Sequence, residues 1–579
     1  MTGRPTEPAP GPEPEPAQER KPDPGPGPEP EQRPECGTGS QARPEPGPEP
    51  SSGPSPGGTP PARPNPTAAP DWRQWQPAPP GPPAWAVTVR AAAPARIRPA
   101  TLWSVLATAL LGALILTDGA GLNLLIVAAP AALAACFAAR AAGRRPRPWT
   151  LVWAVGGPAL LTVPALRDGG LPTFLAVVSA LALGALALHG SRTWAGLVFA
   201  PLGLIGAVGP GVAWGWHGLR ARMEGSRGRW MPVLRTVAVA AVLLIVFGAL
   251  FSAADAAFAD LLGALTPVVP VVEGPWRFLM FAAGLGGALA AARTAAAPLR
   301  WDRLALAPGR ARGRVEWALP LIVLNLLFAA FIAVQLAVLL GGYDEVLART
   351  GLSRAEYARQ GFWQLLWVTF LVLVVIALAG RWAPRGGARD RTLVRTVLGV
   401  LCALALVVVA SALRRMDLYV DAYGLTRLRI SVAAVELWLG VVIVLVMVAG
   451  AVGGRWLPRA VAASAAASVL AYGLLSPDAL VAERNVRLYE QQRKIDVGYF
   501  QQLSADAVPA LDRLPEPLRS CALHGIERNL GGEDEPWYAT SWSEHRAREI
   551  LALREPDATA SCADRGGSMP YEGEPGPAD

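Results

Sequence analysis

Residues 430–450 read ISVAAVELWLGVVIVLVMVAG, an unbroken apolar run with one charge, Glu436. A helix rises about 1.5 Å per residue and the hydrocarbon core of a bilayer is about 30 Å thick, so a run of this length is what a crossing helix requires. Working outward, comparable runs lie at 101–117, 120–139, 149–166, 171–189, 194–214, 236–254, 276–293, 316–340, 361–380, 396–413 and 459–475. The pattern predicts an all-α, polytopic membrane protein of 11–12 spans. Composition agrees: of 579 residues 52% are hydrophobic and 17% charged, with a mean hydropathy of +0.30. Soluble domains carry about 25% charged residues, so much of this chain's surface is built for lipid. That excludes a cytosolic enzyme, a disulfide-stapled secreted domain and a nucleic-acid binder, and makes the lipid bilayer the first partner.

On either side of the apolar region (99–475) the composition changes. Residues 1–98 hold 28 of the 56 prolines within their first 83 positions, in EPGPEP-like repeats with few aliphatic side chains to bury. Such a segment cannot offset its ordering entropy and is expected to be a disordered Pro/Glu/Gly-rich tail with polyproline II character. It lacks the basic start and apolar core of a secretory signal, so the first span is expected to act as an uncleaved anchor. Residues 476–579 carry 11 basic and 19 acidic side chains and read as a small soluble helical module with a disordered end. Asp506 is placed to cap a short helix in it, with Pro509 in the first turn, where a missing N–H does no harm.

Orientation rests on arginine, because Lys21 and Lys494 are the only lysines. Clusters at 140–147, 220–229, 300–314, 381–395 and 455–459 are expected on the cytoplasmic side. Neighbouring clusters are separated by two runs, except that three lie between Arg147 and Arg220. An even count requires one of them not to cross. The best candidate is 194–214, WAGLVFAPLGLIGAVGPGVAW, whose Pro201, Pro210 and glycines suit a re-entrant or interfacial segment. Eleven crossings then place the N-terminus in the cytoplasm and the C-terminus outside a plasma membrane, whereas twelve place both inside.

Four stretches resemble one bacterial membrane family: LFSAADAAFADLL (250–262), LFAAFIAVQLAVLLGGYDEVLARTGLSRAEYARQGFWQLLWVT (327–369), RRMDLYVDAYGLTRLRI (414–430) and SPDALVAERNVRLYEQQRKIDVGYFQQLSADAVPALDRL (476–514). They are similar to the domain of unknown function 4173, itself related to 4153. The resemblance implies a multi-pass membrane protein over roughly residues 100–555 and carries no reaction with it. This chain has Ser476 where the family pattern has Asn, and Ser353-Arg354 where it has Thr-Tyr. Arginine, alanine and glycine bias with almost no lysine resembles an actinobacterial composition.

Polar groups in hydrocarbon are costly, so they are the first functional candidates. Arg414, Arg415, Asp417, Asp421, Arg427 and Arg429 form the densest cluster, and Glu436 follows about two turns inside the next span. On one helix Arg414 and Asp417 are i,i+3 and Asp417 and Asp421 are i,i+4, with Gly424 as a helix-ending break. The cluster reads either as an ion or proton relay or as a salt-bridged loop at the membrane surface. Asn325 and Gln335 are intramembrane amides, suited to joining helices. The loop 341–360 reads as a mixed-charge exterior helix. Cys521 and Cys562 are a candidate disulfide if the module lies outside, while Cys521, His524, His545 and Cys562 hold the ligand types for zinc at poor spacing. The disulfide is preferred, and no metal or cofactor is assigned. No P-loop, HExxH, GxSxG or dinucleotide fingerprint occurs, so an enzyme is the less favoured class. The leading reading is a membrane or envelope assembly or sensing component, with envelope proteins as partners. The alternative is a secondary transporter or proton conductor, and a lipid-handling enzyme comes third.

Overall fold

The computed structural model describes residues 84–89, 91–224, 274–304, 309–341, 362–384, 386–492, 496–530 and 535–557, with isolated positions between 235 and 258, all within one compact unit, Pro80–Asp579. The candidate exterior helix at 341–360, most of the 236–254 run and Cys562 lie outside the described residues. Every described element is helical. The order is α1 Ala84–Val89, α2 Pro99–Ile115, α3 Asn123–Ala141, α4 Pro148–Leu166, α5 Gly170–His189, α6 Trp194–Gly206, α7 Val208–Glu224, α8 Gly274–Ala296, α9 Arg314–Gly341, α10 Phe362–Trp382, α11 Ala388–Tyr423, α12 Arg427–Val452 and α13 Leu457–Leu475. The C-terminal module adds α14 Pro477–Gln492, α15 Val497–Phe500, α16 Val508–Leu511, α17 Leu518–Asn529 and α18 Trp542–Leu553. Among the described residues, nine helices are long and apolar enough to cross a membrane; α2 is apolar but shorter, and α6 with α7 forms one bent pair.

Local chemistry sets the helix limits. Proline occupies the first turn of α2, α4 and α13, where its missing N–H is no loss. Thr193 caps α6 and Thr426 caps α12. Gly424 ends α11 at φ 77°. The bundle buries small residues and turns large ones outward. Ala109, Ala138, Ala200 and Ala292 are buried, while Val155, Phe174, Leu181 and Leu326 are each more than 60% exposed, the inside-out pattern of helices solvated by lipid. Close approach makes this necessary: a Cβ on Gly284 of α8 would stand 3.1 Å from the Ala109 Cα of α2.

The connections collect at two ends. At one end lie the loops joining α3 to α4, α5 to α6, α8 to α9, α10 to α11 and α12 to α13. They are tied together by Asp302 accepting from the Arg192 and Thr193 amides at 2.9 and 3.0 Å, by Arg144 donating to the Leu188 and Ala295 carbonyls, and by the Arg314–Asp390 ion pair. We call this the arginine end. The α2–α3, α4–α5 and α11–α12 loops lie at the other end, beneath the module.

One detail differs from the sequence reading. Residues 84–98, read as tail, are folded: the Val89 carbonyl accepts from Arg300 N, the Ala95 carbonyl accepts from the Trp214 indole, and Ile97 is buried in one cluster with Ala138 and Ala295. Apolar side chains return here after the proline repeats and bury themselves on the bundle. The 194–214 run, for its part, extends into a helix broken at Ala207 and bent by 49°. Its first end is held at Asp302, and its second sends Arg222 to the Ile97 carbonyl. Both anchors belong to the arginine end.

Candidate functional site

The module closes around a core of its own, with Phe500, Leu511, Leu523 and Ile526 at 2% exposure or less. Within it Arg519 is fully buried and donates to Asp512 (2.7 Å), Glu516 (3.3 Å) and the Arg554 carbonyl (2.6 Å), a set that satisfies a charge otherwise very costly to bury. Among the described residues the module meets the bundle at the α2–α3, α4–α5 and α11–α12 loops, and this junction is a dense set of polar contacts.

Three carboxylates organise it, Asp478 and Asp506 buried and Asp168 half-buried. Asp478, in the first turn of α14, accepts from Arg427 Nε and Nη2 at 2.6 and 2.5 Å and from the Ser504 amide at 2.8 Å. Asp506 accepts from the Asp168 amide at 3.1 Å and from Arg167 at 3.4 Å, and also from the Ser476 and Ser543 hydroxyls. Asp168, in the α4–α5 loop, accepts from the Ala505 amide at 3.0 Å, while its own amide also reaches Ser543 Oγ at 2.9 Å. Around these, Asn485 Oδ1 takes the Leu425 amide at 2.7 Å and its Nδ2 donates to the Leu425 carbonyl at 2.9 Å. Tyr499 Oη accepts from the Arg427 amide. At the α2–α3 loop Tyr538 donates to Asp118 at 2.9 Å, and its carbonyl accepts from Asn123 N. Fixed donors replace water throughout, so the module is held by directional bonds.

Burial pushes the Asp506 carboxyl above its ordinary range, against the pull of the Ser476 hydroxyl, the Arg167 charge and the Ser543 hydroxyl. Burial likewise pushes Asp168 up, opposed by the Ala505 amide. Burial therefore raises two neighbouring carboxyls of the junction, each against the pull of its own hydrogen-bond donors.

The cluster singled out from sequence divides. Arg427 joins the junction through Asp478, and Asp421 pairs with Arg484 of α14. Arg414 and Asp417 form an exposed pair at 3.0 Å. Arg429 lies over the Tyr419 ring and donates to the carbonyls of Tyr423 and Gly424, closing the α11–α12 turn. Arg415 also has a partner. Glu436 stands apart in the bundle, 1% exposed; its Oε1 accepts from Thr369 Oγ1 at 2.8 Å, while Oε2 has no partner. Asn325 ties α9 to α11 by donating to the Val397 carbonyl at 3.1 Å, and Gln335 is half-buried on α9. Asp506 sits in the 3-10 turn 505–507 but reaches across to the bundle instead of capping a helix. Cys521 is buried and disulfide-bonded. A disulfide leaves no thiolate for zinc, and His524 and His545 each lie beside a glutamate of their own helix.

Asp168, Asp478 and Asn485 were not singled out from sequence, and Asp506 only as a helix cap. Asp478 and Asn485 stand in the quoted motif SPDALVAERN, and Arg167-Asp168 is a charged pair in a loop only three residues long between two apolar helices. Those were the available signals.

A family model described as a domain of unknown function (DUF4153) matches residues 155–514. It spans Arg167, Asp168, Arg427, Asp478, Asn485, Tyr499 and Asp506 of the junction, while Asp118, Tyr538 and Ser543 lie outside it. No curated protein and no solved structure matches the chain.

Proposed function

The chain belongs to the DUF4153 family, and from that premise we propose that this multi-pass membrane protein serves as an assembly or sensing component of the cell envelope, in the 4173 branch of related sequences. The supporting observation is the junction: the module is bonded to the α2–α3, α4–α5 and α11–α12 loops at once, so a ligand or partner on the module is mechanically coupled to the helices. We place the module outside a plasma membrane and the N-terminal tail in the cytoplasm. The module lies opposite the loops bearing Arg140, Arg144, Arg145 and Arg147. The bent α6–α7 pair returns to its own side, which gives eleven crossings if 236–254 crosses. A disulfide at Cys521, for which Cys562 is the proposed partner, suits an oxidising exterior.

The test is photo-crosslinking from Trp537 or Trp542, both exposed on the module. In intact cells each site is expected to trap one defined envelope or membrane protein, and Asp478→Ala is expected to abolish the trapping while the protein still accumulates in the membrane. Impermeant thiol labelling of Cys521 and Cys562 in intact cells should appear only after reduction; labelling that requires lysis places the module inside.

Glu436 favours a second reading, a proton-coupled transporter, because a buried carboxyl with one unpartnered oxygen is a candidate proton carrier. Liposomes holding the purified protein distinguish the two. Proton flux equal to that of empty vesicles supports the first, and flux abolished by Glu436→Gln establishes the second.

A further inference from the structure

At the arginine end, the start of α4, the α5–α6 turn and the start of α13 enclose a cavity of about 340 Å³. Arg147, Arg192 and Arg459 line it with Trp149, Trp153 and Ser191, and no carboxylate is among the lining residues. The nearest acid, Asp302, is engaged with the Arg192 and Thr193 amides and the Thr193 hydroxyl. Among the described residues no side-chain hydrogen bond or ion pair reaches the three guanidinium groups, and Arg459 Nε is buried without an acceptor. Arg459 is held 5.5 Å over the Trp149 ring, which itself packs at 5.4 Å from Trp153. Arg147 and Arg192 open to solvent, whereas the Arg459 Nε–H is withdrawn from water without an acceptor, which is costly, and the three neighbouring like charges repel one another. The fully buried Arg519 of the module, by contrast, has three acceptors. A cavity that gathers three planar five-donor groups and leaves them unmatched is complementary to a tetrahedral oxyanion.

We propose that this cavity binds a phosphate ester, supplied by the headgroup of an anionic phospholipid in the adjoining leaflet. Position favours the lipid over a soluble ester. Tryptophan rings sit at headgroup depth, and one turn along α4 Leu151, Val152 and Val155 are exposed, offering an apolar track for acyl chains. Basic pockets between helices at this level are suited to such headgroups. The site is independent of the junction and of the function proposed above.

Thermal unfolding of the full-length protein in zwitterionic detergent, titrated with phosphatidylglycerol, phosphatidylcholine, inorganic phosphate or glycerol phosphate, tests it. Phosphatidylglycerol is expected to raise the melting temperature saturably, and phosphatidylcholine is not. Arg459→Gln and Arg192→Gln should each weaken the response roughly ten- to hundredfold, the size of one lost charged hydrogen-bond pair. Arg145→Gln, an exposed arginine of the same loop outside the cavity, should leave it intact. Should Arg459→Gln not fold, Arg192→Gln carries the comparison alone, since its side chain lies on a turn. Saturation by inorganic or glycerol phosphate at the same concentrations would assign the site to a soluble ester and overturn the lipid. No response in the wild type, or equal loss in Arg145→Gln, would overturn the site.

Discussion

At the module end of the bundle Arg427 gives two guanidinium donors to Asp478 and Arg167 reaches Asp506; at the opposite end Arg147, Arg192 and Arg459 share a cavity that offers them no carboxylate. Both ends lie where helices leave hydrocarbon, and both are rich in charge. They differ in what completes the charge. The module supplies its own counter-groups, so its loops are fixed by protein alone and removing a group there is a loss of structure. The arginine cavity leaves its three guanidinium groups without a side-chain partner among the described residues, so on the proposal above removing one of them is a loss of binding.

The largest expected effect is Asp478→Ala. It leaves Arg427 Nε and the Ser504 amide without their acceptor inside the junction, and removing one member of a buried pair costs about 3–5 kcal/mol. Arg427 is 45% exposed and water relieves part of that, so about 2–3 kcal/mol is expected in denaturant unfolding of the purified protein. A loss below about 0.5 kcal/mol, the level of an ordinary surface change, breaks the comparison.

Next comes acidity. Asp168 and Asp506 have folded values raised by burial, so the stabilisation they give to docking is fully present below the ordinary carboxylate value of about 3.9 and is lost as pH rises through the raised values. Arg167 and Arg427 oppose the rise, whereas Asp478 and Glu535 add to the Asp168 shift. Docking is therefore expected to tighten as pH falls from neutral toward 4. Hydrogen exchange at the Asp168 and Ala505 amides, corrected for intrinsic rates, reads this directly, and Asp506→Asn should flatten the dependence. Faster corrected exchange on acidification would contradict the sign.

The helices were legible because a run such as 430–450 reports its length and environment at once. Helix α11 shows the limit of that reading. Its apolar run stops at Leu413, yet the helix spans Ala388–Tyr423, because helical hydrogen bonding continues through the charged ends until Gly424 permits the turn. The junction was half legible. Arg427 and Asp421 stood out as charges beside a span, but their partners Asp478 and Arg484 lie on a separate helix, and Arg167 meets Asp506 across 339 positions of sequence. No local periodicity encodes a contact of that range. The arginine cavity was hidden for the same reason: Arg147 and Arg459 come from two clusters accounted for by membrane orientation, and Arg192 stands alone in a turn between two runs.

A smaller effect is expected at Ser476, the one non-glycine residue with positive φ among the described residues, at 48°. Its hydroxyl caps the Ala479 amide and donates to Asp506, so the position carries a bond as well as backbone strain. Asparagine tolerates positive φ better and keeps both a cap acceptor and a donor. Ser476→Asn is expected to raise stability by up to about 1 kcal/mol, the scale of a left-handed backbone penalty. Destabilisation would mean that the hydroxyl geometry at Asp506 outweighs the backbone term.

The smallest effect is expected at the other end, and its smallness is the informative part. In zwitterionic detergent without anionic lipid, Arg192→Gln removes no hydrogen bond of the guanidinium and relieves repulsion with Arg147 and Arg459, so unfolding should shift by no more than about 0.5 kcal/mol in either direction. The backbone amide of residue 192 still bonds Asp302, so the turn keeps its anchor. A loss comparable to that of Asp478→Ala would show that an intramolecular acceptor completes Arg192 after all, and the two ends would then follow one rule.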